Sequence, residues 1–228
     1  MNKNGYQDSP SLNELFSLND KFALVIGGAG LLGSQISNAF AELGANVIVA
    51  SRDISKCQEF VKHLNEIYPD GMHLALEVDI TDGDSMNNIV KEVGEKTKGG
   101  LDILVNSGWS GRKNTFDSIS NDDWDNDIDV CLSGVFRIIK LFVPLLKKNE
   151  GNILNIASMY GHVAPDYRLY DSEKLSNPPS YGAAKAGIIQ FTKYLSSFLS
   201  SDNIRVNCIS PGPFPYESTQ KENPDFIS

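Results

Sequence analysis

The chain has 228 residues, a formal net charge of −9 and a hydrophobic fraction of 41%, enough apolar surface for one well-buried α/β domain. The acidic balance, with Lys and Arg scattered along the chain, argues against a nucleic-acid partner, which would need a basic face. Cys57, Cys131 and Cys208 lack CxxC spacing and only three histidines occur, so neither a disulfide framework nor a metal site is expected. The polar first twenty residues and the charge-broken apolar stretch Val135 to Leu146 predict no signal peptide and no membrane span, hence a cytoplasmic protein.

In chain order, short β-branched runs alternate with longer segments of helical period. Phe22–Ile26 reads as a first, fully buried strand ending in glycines, and Leu31–Leu43 as a helix stopped by Gly44. Asn46–Ala50 follows as a strand, then a helix over Ile54–Ile67 opened by Asp53. His73–Val78 is the third strand, and Asp82–Lys98 a helix capped by Thr81 or Asp82. Asp102–Asn106 is the fourth strand. One long helix is predicted over Asp122–Lys148, kinked at Pro144. Ile153–Ala157, a helix over Tyr181–Ser200, and Ile204–Ile209 complete the pattern. The alternation predicts an α/β fold: a single Rossmann-type, doubly wound parallel sheet with helices on both faces.

Gly28-Ala29-Gly30-Leu31-Leu32-Gly33, preceded by Gly27, is a GxGxxG between a predicted strand and a predicted helix. Glycines there permit a tight turn and close backbone approach to a pyrophosphate at the helix N-terminus. A turn kept only for packing is the plainer alternative. After the second strand stand Ser51 and Arg52, and an arginine matches a ribose 2′-phosphate where an acid would match a 2′-hydroxyl. NADP(H) is therefore favoured over NAD(H) as cofactor, although Arg52 could be a solvated charge. Asp79, after the third strand, could reach adenine or could cap a helix.

Tyr181 and Lys185 stand four residues apart on one predicted helix face. A nearby ammonium is expected to depress the phenol pKa, suiting Tyr181 to proton transfer with an alkoxide or alcohol. Ser158 follows the fifth strand at the carboxyl edge, where ligands bind in open α/β sheets; it could hold a carbonyl, or merely cap its own backbone.

Taken together, the glycine turn, Val78-Asp79-Ile80, Ile103-Leu104-Val105-Asn106, Asn152 to Ser158, Tyr181 and Lys185, Arg205-Val206-Asn207 and Pro211-Gly212 resemble the short-chain dehydrogenase/reductase family. The resemblance implies that Tyr181 is the acid/base, that Ser158 orients the carbonyl, and that Lys185 lowers the tyrosine pKa and holds the nicotinamide ribose. It implies that Asn106 lines the cofactor cleft, that Pro211-Gly212 approach the nicotinamide, and that Leu32, Ile80 and Ser107 join the cofactor set. It also implies a small-molecule carbonyl or alcohol substrate and a homodimer or homotetramer. On this reading residues 1–20 are an extension, 21–212 the catalytic domain and 213–228 the start of a substrate-loop region.

Departures from the family pattern accompany the likeness. Ile26 replaces a threonine that braces the strand-four turn, Asn106-Ser107-Gly108-Trp109 replaces Asn-Asn-Ala-Gly, and Cys131 falls where an asparagine often completes a proton relay. Family members continue through a further helix and a seventh strand, so the stop at Ser228 predicts a shortened sequence. Ser158 and Tyr181 are 23 positions apart, where the family has about a dozen. The extra loop, including Asp166-Tyr167-Arg168-Leu169-Tyr170, is expected to wall the substrate site. A similar serine–loop–tyrosine arrangement occurs in members associated with bacterial flagellin and surface-sugar modification, which suggests a sugar or nucleotide-sugar substrate. A sugar-nucleotide epimerase or dehydratase with retained cofactor, or a non-catalytic cofactor-binding protein, are the alternatives.

Overall fold

In the computed structural model, which describes residues 11–109, 114–167 and 177–214, the apolar runs form strands whose two faces are both covered. Along β1 (Phe22–Ile26), Leu24 and Ile26 pack into one core cluster while Ala23 and Val25 pack into another. This period-two division lets a parallel strand be apolar throughout. The same division holds for Ile48 against Val47 and Val49 in β2 (Asn46–Ser51), and for Leu104 against Ile103 and Val105 in β4 (Ile103–Asn106).

With β3 (Leu74–Glu77), β5 (Asn152–Ile156) and β6 (Arg205–Ile209), these strands form one parallel sheet of order β3-β2-β1-β4-β5-β6. A short helix, α1 (Leu12–Phe16), precedes it, opened by a reciprocal Ser11–Glu14 capping box that the sequence reading missed. Helices α2 (Leu31–Glu42) and α3 (Ile54–Ile67) cover the Val25–Val47 face. Helices α4 (Gly83–Lys96), α6 (Gly134–Lys148) and α7 (Pro179–Phe198) cover the Leu24–Leu104 face. The expected doubly wound architecture is present, with strand and helix ends shifted by at most two residues.

The predicted single helix over Asp122–Lys148 is corrected. Helix α5 (Asn121–Ile128) leads into a wider, π-type turn over Asp129–Ser133, where the Gly134 N–H bonds the Asp129 carbonyl, and α6 follows. Pro144 lies inside α6. The carbonyl its missing N–H leaves unbonded belongs to Lys140, on the exposed side, where water can satisfy it. At Gly134 a Cβ would come within 2.9 Å of the Ile80 side chain, so the backbone of α6 packs directly against the loop after β3. Such wide turns recur near functional sites, and this one buries Cys131 to 1% exposure.

Candidate active site

β1 and β4 are neighbours in the sheet but their chain connections depart in opposite directions. At such a switch point the carboxyl ends of the strands leave a crevice. Here it is a cavity of about 640 Å³. Gly27 ends β1 with φ +75°, and a Cβ on it would lie 2.9 Å from the Ser107–Gly108 peptide. The turn after β4 is therefore braced by backbone contact, together with a bond from Ser107 N–H to the Ile26 carbonyl of 2.9 Å. This replaces the hydroxyl absent at Ile26. A Cβ on Gly33 would fall on the Gly27 carbonyl oxygen, so the turn and α2 can pack only as glycines.

Gly30 is the N-cap of α2 and offers no side-chain cap, and no acid occupies the first turn. The amides at that end point to the positive pole of the helix, ready for an anion. Gly27, Gly30, Leu32 and Gly33 line the cavity. Gly28 does not; a Cβ there would meet the Val25 carbonyl and Ser37, whose hydroxyl donates to the Gly28 carbonyl at 3.3 Å. Its role is packing of α2 on β1. A glycine cradle with open amides and cationic walls suits a dinucleotide diphosphate.

Further along this end, Ser51, Arg52, Asp79 and Ile80 line the same cavity, and so does Lys56 in the first turn of α3. Lys56 was not singled out from the sequence, although a lysine in the first turn after the expected Asp53 cap stands near Arg52 in the chain. Asp53 caps α3, accepting from Lys56 N–H at 3.0 Å. Asp79 is not the α4 cap: Asp82 holds that position. The Asp79 carboxylate accepts from Thr81 N–H (2.9 Å) and Thr81 Oγ1 (2.6 Å) in a local turn. Partial burial raises its pKa, but the Thr81 bonds and the Arg52 charge outweigh this and leave it below the usual carboxylate range.

At the opposite end, Ser158, Tyr181, Lys185, Pro211 and Gly212 line the cavity with Ser107 and Trp109. Ser158 opens a short 3-10 turn over Met159–Gly161 by accepting from Tyr160 N–H at 3.2 Å, and its hydroxyl pulls down the pKa of the nearby Tyr181 phenol. Lys185 is 5% exposed; its Nζ donates to the Ile156 carbonyl at 2.7 Å and lies 5.6 Å from the Tyr181 ring centre. Trp109 meets Tyr181 edge-on, with ring centres 6.0 Å apart, so the indole screens the phenol from solvent.

Two expectations need correction here. The Tyr181 pKa is not depressed: burial pushes it above the ordinary tyrosine value, Ser158 pulls it partly back, and Cys131 and Tyr160 push it further up. Desolvation sets the direction, and the ammonium effect inferred from spacing alone does not enter the balance. Burial in turn lowers the Lys185 pKa, against an opposing influence from Cys131. Second, Asn106 does not line the cavity. It is buried on the α7 side of the sheet, where its Nδ2 donates to Asn155 Oδ1 at 2.8 Å and Asn155 Nδ2 donates to Thr192 Oγ1 at 3.0 Å. This ladder ties β4 and β5 to α7. Arg168, Leu169 and Tyr170 of the expected substrate wall lie outside the described residues.

A switch-point crevice fronted by a glycine turn is the architecture of dinucleotide-binding α/β proteins. Comparison with known proteins narrows this class: the short chain dehydrogenase model matches residues 21–226, and the chain belongs to that family. It is 33% identical to the 3-oxoacyl-[acyl-carrier-protein] reductase FabG of Thermotoga maritima over 210 residues, covering 90% of this chain and 78% of the relative. It is 30% identical to the FabG reductase of Vibrio cholerae, covering 91% and 79%. Among solved structures, the RhlG/NADP active-site complex of Pseudomonas aeruginosa superposes with TM-score 0.78 at 27% identity, covering 93% of this chain and 80% of that one. The gox2181 crystal structure gives TM-score 0.83 at 26% identity, covering 94% and 80%.

Proposed function

We propose that this family member is an NADP(H)-dependent oxidoreductase interconverting a carbonyl and a secondary alcohol, with Ser158, Tyr181 and Lys185 as its catalytic set. The observation that carries the reading is that one cavity has the glycine cradle at one end and these three side chains at the other. On this reading Gly27, Gly30, Leu32, Gly33, Ile80, Ser107, Pro211 and Gly212 border the cofactor, and Ser51, Arg52 and Lys56 surround a 2′-phosphate. When bound, the nicotinamide supplies or accepts the hydride.

The protein's own groups handle the oxygen. The Ser158 and Tyr181 hydroxyls, which line the same cavity, grip the substrate oxygen from two sides. As negative charge grows on that oxygen, Tyr181 Oη gives up its proton to it. The buried Lys185 ammonium, fixed on the Ile156 carbonyl, stabilises the phenolate that remains. Burial raises the Tyr181 pKa further above neutrality, so the phenol carries its proton throughout the neutral range, which suits the reductive direction.

For substrate we favour a keto group on a sugar or nucleotide-sugar. Beyond Tyr181 a second hollow of about 260 Å³ is lined by Tyr160, His162, Tyr167 and Asn177, and Tyr160 and Asn177 also line the main cavity. Phenol faces, an imidazole and an amide can stack on and hydrogen-bond a polyhydroxylated ring. A 3-oxoacyl substrate is the second reading, favoured by the FabG relatives. A cytoplasmic setting fits three cysteines that are all thiols. A homodimer or homotetramer fits the exposed aromatic stripe of Phe136 on α6 with Tyr194 and Phe198 on α7. The test is a panel of keto-sugars, nucleotide-keto-sugars and 3-oxoacyl thioesters, followed by loss of NADPH absorbance. Turnover of the sugar ketones above the thioesters supports the reading; preference for thioesters replaces the substrate class, and conversion without net NADPH loss contradicts the reaction type.

A further inference from the structure

We infer that Asp127 is a positioning residue for the catalytic tyrosine, acting through Ser180 from the neighbouring helix. Both residues are buried, Asp127 to 2% and Ser180 to 0% exposure, and Ser180 Oγ donates to Asp127 Oδ2 at 2.6 Å. Ser180 immediately precedes Tyr181 in the first turn of α7, while Asp127 lies in α5, just before the wide turn that carries Cys131.

Helix α7 needs such a partner. It opens with Pro178 and Pro179 and has no cap side chain of its own. A helix of 20 residues whose first turn is uncapped can shift or fray at its end, and that end bears the phenol. The Asp127 carboxylate supplies, from another helix, both the acceptor and the negative charge that a helix N-terminus favours. A buried carboxylate with a short hydroxyl bond is directional, so it sets the rotation of the first turn and with it the aim of Tyr181 at Ser158. Burial raises the Asp127 pKa, the Ser180 bond lowers it and the nearby Asp123 raises it; the bond is thus formed by a group held against a desolvation cost. Neither residue lines the cavity, so neither is a catalytic residue.

The inference rests on the reading of Tyr181 as the proton donor, and its test is independent of turnover. Phenolate absorbance of Tyr181 is isolated as the difference between each protein and the same protein carrying Tyr181→Phe, and is titrated with pH in wild type, Ser180→Ala, Ser180→Thr and Asp127→Asn. In Ser180→Ala the titration is expected to move down towards the ordinary tyrosine value of about 10 as the loosened turn lets water in. Ser180→Thr, which keeps the hydroxyl, is expected to stay near wild type, and Asp127→Asn, which keeps an acceptor but loses the charge, to fall between wild type and Ser180→Ala. With any ketone the wild type reduces, Ser180→Ala should lose kcat by roughly 10- to 100-fold, the scale of a misplaced catalytic group, while its NADPH dissociation constant holds. An unmoved titration with unmoved kcat in Ser180→Ala overturns the inference, whatever happens to its melting temperature. If the wild type reduces no ketone, the functional reading falls while the titration still decides this one.

Discussion

The two ends of the cavity are built by different means. The end proposed for the adenosine side of the cofactor comes from contiguous stretches, 27–33 and 51–56, and its shape is set by backbone: glycines that admit no Cβ, an uncapped helix start and a left-handed Gly27. The catalytic end comes from side chains on separate elements, Ser158 after β5, Tyr181 and Lys185 on α7 and Trp109 after β4. Their protonation is governed by burial more than by one another. Backbone sites are tied to sequence spacing, whereas side-chain sites depend on what the rest of the fold excludes from water.

If that contrast is right, substitutions at the two ends should separate binding from chemistry. The largest effect is expected for Lys185→Ala, which removes a buried ammonium and its bond to the Ile156 carbonyl. Initial-rate kinetics should show kcat lower by on the order of 10²-fold or more; a change confined to KM would place Lys185 outside the chemistry. Arg52→Ala should weaken NADPH by roughly tenfold or more, the worth of one charge-assisted hydrogen bond, with NADH affinity and the kcat at saturation unchanged. Titration calorimetry with both cofactors measures this, and Lys56→Ala should show the same selectivity more weakly. Equal losses for NADPH and NADH would remove the 2′-phosphate from this end.

Gly33→Ala sharpens the backbone half of the contrast. Its methyl group would collide with the Gly27 carbonyl, and such overpacking typically costs about 1–3 kcal/mol. Chemical denaturation should show that loss together with weakened binding of both cofactors. Unchanged stability would mean the turn is looser than its geometry. For the phenol, a raised pKa predicts a reduction rate that is flat through neutral pH and falls only as pH climbs through that elevated value. Alcohol oxidation should rise over the same alkaline range, and a reduction limb that falls near pH 7 would contradict a protonated donor.

The smallest effect concerns stability. His73 Nδ1 accepts Val47 N–H at 3.3 Å, so the proton sits on Nε2, which faces the Tyr68 carbonyl at 3.1 Å. Burial lowers the His73 pKa, with the Tyr68 carbonyl opposing. Below the ordinary histidine value of about 6.5 the unfolded chain binds a proton that the folded one refuses, so folding stability should fall with falling pH. His73→Gln should flatten that slope in melting curves between pH 5 and 7.

Much of the fold was legible because its signals are local. Alternating strand faces and glycine or capping residues at the ends placed Phe22–Ile26, Asn46 and Asp53 almost where they stand. The wide turn at Asp129–Ser133 was hidden: Pro144 carries an obvious local signal, whereas that turn accompanies a tertiary contact between Gly134 and Ile80. Asn106 was misplaced although strand parity with Leu104 already puts both on the α7 side. The Tyr181 pKa was misjudged in sign because spacing reveals a neighbouring ammonium but not the burial that sets the direction. The Asp127–Ser180 bond joins positions 53 apart, beyond any local pattern.

The most direct test of the whole account compares wild type with Tyr181→Phe in two readouts on the same protein: NADPH affinity by fluorescence titration, and single-turnover reduction of the ketone found in the substrate panel. The account predicts affinity within about twofold and a reduction rate lower by on the order of 10²–10⁴-fold, the range for loss of a general acid. A Tyr181→Phe protein that reduces its ketone at the wild-type rate would contradict it.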